Sequence, residues 1–253
     1  MISELWNELL ECIYPSSLYC ISCRKIIDDS RTYRLCNECM DNIKWATGRT
    51  CGICGKPLSA NNPGDTCYHC KQHKHCFDRG YTCAEYGANE RAIVFAMKYD
   101  NRPDIALTIG DIMADRMLNL YEPDELAGLY DLLVPVPVSK ERRKLRGYNQ
   151  AALIAEQLSK RTGLSYEGEI LERINETAKM KGLTPDQRRE NIRGCFAISR
   201  AESILSGLSC LIIDDIYTTG ATVDEVAAVL KQAGAARVDF LSFANGADMI
   251  KTS

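Results

Sequence analysis

The densest run of chemistry-bearing residues is Asp214-Asp215-Ile216-Tyr217-Thr218-Thr219-Gly220-Ala221-Thr222. Three threonines and a glycine within five positions supply hydroxyl donors and a backbone that a ligand can approach closely. Such a turn suits an anion, and a phosphomonoester fits it. The two adjacent carboxylates just before the turn suit an anion site only if each meets a hydroxyl group or a cation. A ribose 5-phosphate with Mg²⁺ nearby satisfies both demands.

The flanking residues are of the kind needed to hold that turn in place. Cys210 to Ile213 is a continuous apolar run, as a parallel strand covered on both faces carries. From Thr222 a helix is predicted, with Val223, Val226, Ala227 and Leu230 on one face and Gly234 as its stop. Strand, polar turn and helix together aim backbone N–H groups and a positive dipole end at one anion.

A second site segment follows another predicted strand, Leu132 to Val138. In Ser139-Lys140-Glu141-Arg142-Arg143-Lys144-Leu145-Arg146, five of the seven residues from Lys140 to Arg146 are cationic. Standing where an α/β sheet opens its ligand crevice, Ser139, Lys140, Arg142, Arg143 and Arg146 are candidates for pyrophosphate binding. A DNA-tracking patch and an inert solvated face remain the competing readings.

Thirteen cysteines need their own reason, and eight supply it by position. Cys20-x-x-Cys23 and Cys36-x-x-Cys39 form one set; Cys51-x-x-Cys54 and Cys67-x-x-Cys70 form another, with twelve residues between the pairs in each. Two thiolates on a tight turn can face one ion, and two such turns complete a tetrahedral Cys₄ shell, so two structural zinc ribbons are predicted. The pairing stays open: each set may close on its own Zn²⁺, or the pairs may interleave. His69, His73, His75 and Cys76 match no common ligand spacing, and no third metal site is expected.

These motifs resemble known families. The stretch from Cys210 to Thr222 resembles the phosphoribosyl pyrophosphate (PRPP) signature of the type I phosphoribosyltransferases. By that resemblance Asp214 and Asp215 hold the ribose hydroxyls, and Thr218, Thr219, Gly220, Ala221 and Thr222 form the 5-phosphate loop. Val134-Pro-Val-Pro, the basic run, Arg146-Gly147-Tyr148-Asn149-Gln150, the Ala-Met-Lys98-Tyr segment and the eight cysteines together resemble the ComF family. That family ties a phosphoribosyltransferase-like domain to natural competence and DNA uptake. One departure is Met180, where relatives often carry Gln, which leaves the acceptor pocket undefined.

The resemblance implies a mainly parallel α/β sheet with flanking helices over residues 81–253, after a helix and double zinc ribbon over residues 1–80. Removing zinc is then expected to unfold the first part and spare the second. Thr177 to Gly194 is expected to be a long loop that acts as a hood. Two functions from different classes follow: pentosyl transfer from PRPP to an unknown acceptor, or non-enzymatic PRPP sensing within a DNA-uptake machine. Single-stranded DNA or DNA-uptake proteins are candidate partners, though residues 1–85 carry ten basic and ten acidic groups and lack the bias nucleic-acid binding normally needs. With 31 Lys and Arg against 34 Asp and Glu, no global field points to a polyanion either. No apolar run reaches the roughly 18 residues a bilayer needs. Met1 to Glu11 reads as an amphipathic, acidic helix packing on its own protein rather than a leader, and the expected location is cytoplasmic.

Overall fold

The computed structural model describes residues 18–28, 30–175, 184–199 and 205–246. The expected N-terminal helix, Cys12, the C-terminal tail, Thr177 and Met180 lie outside them.

Four strands form the central sheet: β1 (Gly80–Glu85), β2 (Leu132–Pro135), β5 (Ser209–Tyr217) and β6 (Arg237–Asn245). Their order is β1-β6-β5-β2, and every pairing is parallel. The nine-residue strands β5 and β6 are central, and their side chains alternate between two fully buried faces. Leu211, Ile213, Leu241 and Phe243 enter one core; Cys210, Ile212, Val238 and Phe240 enter the other. Double-sided burial explains the unbroken apolar run read in the sequence. Each such side chain contributes about 1.5–3 kcal/mol relative to exposure.

The first face is covered by α3 (Ala88–Tyr99), α4 (Pro103–Leu118) and α7 (Gln150–Thr162), through residues such as Met97, Ile109 and Ile154. The second face is covered by α9 (Ala221–Gln232), through Val226, Ala227 and Leu230. The two cysteine ribbons divide between the faces. The first, with α1 (Asn37–Asn42), packs Cys20, Ile21 and Leu35 into the first core. The second, with α2 (Tyr68–Gln72), packs Cys51, Cys54, Cys67 and Cys70 into the second. The link between them runs antiparallel along β1: Ala46 N–H donates to the Cys83 carbonyl and Glu85 N–H to the Lys44 carbonyl, each at 2.8 Å. This contact occupies a sheet edge that would otherwise be open.

Two differences from the sequence reading affect the site. The basic segment is a helix, α6 (Lys140–Arg146), not a turn. Ser139 caps it by accepting from Arg142 N–H at 3.3 Å, and Gly147 ends it in the left-handed region. None of its residues is buried, so periodicity gave no signal. The expected hood also holds a helix, α8 (Pro185–Ile192), opened by a Thr184–Gln187 capping box. It lies beside a small antiparallel ribbon, β3 (Leu171–Arg173) with β4 (Phe196–Ile198). A short helix, α5 (Pro123–Leu129), precedes β2. No helix among the described residues is long and apolar enough to cross a membrane.

Candidate functional site

β5 runs past its neighbour. Its pairing with β2 ends at Pro135–Ile213, so Asp214 and Asp215 stand where β2 has already turned away into Ser139 and α6. A crevice outside the carboxyl ends of the strands results, the usual ligand position in open α/β sheets.

The two acids differ in environment. Asp215 is only 2 % exposed and pairs with the Lys98 ammonium, brought in by the last turn of α3. The Gln150 amide also donates to Asp215, at 3.3 Å. Burial pushes the Asp215 carboxyl up, but Lys98 and the donors from Asp214 and Gln150 outweigh it and hold it below the usual carboxylate range. Burial and the charge of Asp215 push Asp214 well above that range. The two shifts run in opposite directions: Asp214 is moved toward its protonated form and Asp215 toward its ionised form opposite Lys98.

Beyond the acids, Thr218 to Thr222 carry the chain from β5 into α9. Gly220 sits at φ +79°, the left-handed region, and a Cβ there would lie 2.4 Å from the Tyr217 hydroxyl. Only glycine suits that point. The loop, Asp214 and Arg188 of α8 line a hollow of about 70 Å³. Arg188 Nη1 reaches Thr218 Oγ1 at 3.5 Å. The loop thus offers hydroxyls, the N-terminus of a twelve-residue helix and a guanidinium to an anion.

The basic segment does not present its charges together. Arg146 turns toward the acids: it hydrogen-bonds Gln150, the residue that donates to Asp215, and lies 5.8 Å over the Tyr99 ring. Lys140 and Arg143 line a different hollow of about 300 Å³, with Glu169, Glu172 and Arg173. Arg142 is exposed, and Ser139 is buried as the helix cap. Of the five residues, Arg146 alone is tied to the carboxylate pair by a chain of contacts.

The cysteines close within each set. In both, all four sulfur atoms lie within 4.8 Å of one another. Cys23 and Cys36 sulfurs are 3.6 Å apart, and those of Cys54 and Cys67 are 3.7 Å apart. Thiolates at about 2.3 Å from a tetrahedral zinc stand about 3.8 Å apart, so each set fits one ion with no open position. The knuckles have the same backbone twist, with Arg24 at φ 62° and Gly55 at φ 69°. Glycine is required only in the second ribbon, where a Cβ would meet the Gly80 carbonyl oxygen at 2.5 Å. Arg24 instead reaches out to pair with Asp100.

The second ribbon also touches α9. His75 lies 3.4 Å from Cys70 Sγ through Nε2, and 2.9 Å from Asp224 of α9 through Nδ1. The Cys76 N–H donates to the same carboxylate. Against the expectation of no third group, ligand atoms of His69, Cys70 and His75 also lie within 4.8 Å of one another, with Cys70 shared between this group and the second cluster. The Tyr217 hydroxyl, under the loop, has no hydrogen-bond partner among the described residues. Burial pushes its phenol well up.

Comparison with known proteins agrees with this geometry. Residues 9–89 match the double zinc ribbon domain and residues 147–251 the phosphoribosyl transferase domain. The DNA utilization protein YhgH of Escherichia coli O157:H7 is 30% identical over 205 residues, covering 81% of this chain and 87% of that protein. The chain belongs to the ComF family. ComF relatives include Competence protein F of Haemophilus influenzae, 26% identical over 215 residues (85% of this chain, 91% of that protein). Competence protein ComFC of Bacillus subtilis is 25% identical over 235 residues (87% and 91%). Among solved structures, an allosteric regulatory enzyme of purine biosynthesis aligns with a TM-score of 0.38 and 18% identity, over 58% of this chain and 29% of that one. The two domain matches and the all-parallel sheet with its flanking helices give the ComF chain a type I phosphoribosyltransferase-like fold with an N-terminal zinc-ribbon region.

Lys98, Gln150 and Arg188 contact the site although the signature does not include them. Each reaches it from a different helix, and the family segments quoted above include Lys98 and Gln150.

Proposed function

We propose that this ComF protein binds PRPP with Mg²⁺, transfers its phosphoribosyl group to an acceptor with release of pyrophosphate, and serves DNA uptake or utilization. The carboxylate pair at the open end of β5, joined without interruption to the Thr218–Thr222 loop, supports this reading best. A 5-phosphate placed on that loop sets the ribose hydroxyls against Asp214 and Asp215. Arg146, and with it Ser139, Lys140, Arg142 and Arg143, are then the residues proposed for the pyrophosphate arm. Lys98 offsets the charge of Asp215 until sugar and cation arrive. Mg²⁺ bound with PRPP would offset the pyrophosphate charge as the C1–O bond breaks, and the protein's own part is positioning and electrostatic stabilisation. The role in DNA uptake is supported by the names of the relatives, DNA utilization protein and Competence protein.

Calorimetry of PRPP with Mg²⁺ tests the binding half. Asp214→Asn combined with Asp215→Ala leaves ribose hydroxyls unpaired, at about 1–3 kcal/mol each, and should lower affinity at least about tenfold. Equal affinity in parent and variant would refute the ribose assignment. Pyrophosphate release, assayed with nucleobases and nucleic acids as acceptors, tests the transfer.

A further inference from the structure

Two histidines against the second ribbon are left out of both Cys₄ shells and of the proposed PRPP contacts. His69 sits beside Cys70 in α2, and His75 follows five residues after Cys70; one ligand atom from each of the three lies within 4.8 Å of the other two. Neighbouring charges set how both rings are presented. The His75 side chain is 2 % exposed, and its Nδ1 faces the Asp224 carboxylate at 2.9 Å. A carboxylate only accepts, so Nδ1 carries the hydrogen of the neutral ring and Nε2 turns its lone pair to Cys70 Sγ, 3.4 Å away. Arg189 of α8 lies 3.4 Å from His69 Nε2, and a guanidinium only donates, so that nitrogen presents a lone pair as well. A carboxylate holding the far nitrogen of a histidine is the usual device for orienting a metal-binding imidazole.

From this arrangement we infer that His69, Cys70 and His75 bind a third metal ion, a divalent cation of the zinc class, with the Cys70 thiolate bridging it to the ion of the second Cys₄ shell. Two facing lone pairs repel unless a cation lies between them. Sulfur at about 2.3 Å and nitrogen at about 2.0–2.1 Å from one tetrahedral zinc stand about 3.6 Å apart, close to the 3.4 Å found here. A thiolate bound to one ion keeps lone pairs for another. The mixed imidazole and thiolate set does not suit Mg²⁺ or Ca²⁺, which take oxygen. Charge points the same way. Four thiolates on one dication leave two surplus negative charges in a buried shell; Asp224 adds a third, and the buried Lys56 near His69 offsets one. A second dication on two neutral imidazoles balances the remainder. Arg189 gives up only a long contact to it, since it also pairs with Asp186 at 3.0 Å. With three protein ligands and an open position this ion exchanges, unlike those of the two closed shells. None of the three ligands is a proposed PRPP contact, so the inference goes beyond that reading and does not depend on it.

The test titrates Co²⁺ into the full-length protein, desalted to two zinc ions per chain, and reads absorption together with elemental analysis. One equivalent of Co²⁺ should bind while zinc stays at two, giving tetrahedral d–d bands and a sulfur-to-cobalt charge-transfer band. His75→Ala and His69→Ala should each weaken that site about tenfold or more, and Asp224→Asn, which loses the orienting carboxylate, about 10–100-fold. His73→Ala, whose ring only lies against His69, should bind Co²⁺ as the parent does. Two zinc ions retained in each variant show that its ribbons are still folded, and His69→Ala serves at a half-buried position if His75→Ala loses them. No cobalt bound beyond the two zinc ions would overturn the site and reduce His75 to a hydrogen-bond donor to the Cys70 thiolate. Cobalt that enters as zinc leaves, in equal amount, would place it in a Cys₄ shell and overturn the site too. So would cobalt that binds without the charge-transfer band, or binds unchanged in His69→Ala and His75→Ala, because it would then be adventitious surface metal.

Discussion

Replacing Lys98 by methionine keeps the length of the side chain and removes the one ammonium paired with Asp215. The pair is well buried, with the lysine side chain 21 % and the aspartate 3 % exposed. Orphaning one member of a buried ion pair costs about 3–5 kcal/mol. The acid has one escape, which is to take up a proton. Holding that proton costs about 1.4 kcal/mol for each pH unit above an unfolded pKa of about 3.9, or about 4 kcal/mol at pH 7. A loss of about 3–4 kcal/mol is therefore expected near pH 7, and it should shrink on acidification.

The direction follows from the two pKa shifts. In the parent, Asp215 is held low, so its stabilisation is fully present above about pH 4 and would be lost only as pH falls through its lowered folded pKa. In Lys98→Met the same carboxyl is raised by burial, so the folded state binds more protons than the unfolded one. Its stability then falls as pH rises from about 4 until the carboxyl ionises. In the variant Asp214 loses both the Asp215 charge that raises it and the Lys98 charge that lowers it, and burial keeps it raised. Urea unfolding at about pH 5.5 and about pH 7 should give a difference that widens by roughly 1–2 kcal/mol. A pH-independent difference, or one under about 1 kcal/mol at pH 7, would refute the account of the carboxylate pair.

Gly220→Ala must adopt left-handed backbone and displace the Tyr217 hydroxyl, so a loss of about 2–4 kcal/mol in urea unfolding is expected, with weaker PRPP binding by calorimetry. His75→Ala removes the link from the second ribbon to Asp224; PRPP affinity should fall several-fold while zinc content by elemental analysis stays at two ions per chain. Chelating the zinc should lower the melting temperature of the whole protein in calorimetry. The sequence-level expectation was that residues beyond 80 would stay folded, but ribbon residues fill both cores of the sheet.

The chemistry was most legible where it is contiguous in the chain. The paired CxxC knuckles, the apolar run before Asp214 and the threonine loop each state a local geometry in a few residues. Lys98, Gln150 and Arg188 could not be placed that way, because they meet the site from three separate helices. The basic segment concealed its helix for a different reason: with no buried residue it has no apolar face to count. The hood helix did carry a readable signal, the Thr184-Pro185-x-Gln187 capping box, but its polar face gave no periodicity to support it. Nothing in the identical ribbon spacing shows that Lys44–Ala46 runs along β1 and sends the halves to opposite faces.

The pairing of β1 with β6 joins segments about 160 residues apart in the chain. On a ribosome adding roughly 5–20 residues per second, β1 waits on the order of ten to thirty seconds for its partner strand to be made. During that interval both cysteine ribbons are already outside, and each can close on a metal using local residues alone. The sheet faces that they will cover do not yet exist. Metal capture thus precedes the hydrophobic step, which keeps eight thiols out of reach of oxidants while the nascent chain is still open. A protein stalled before Arg237 would carry loaded ribbons with no sheet to rest on, making residues 237–245 the segment whose synthesis commits the whole molecule to fold.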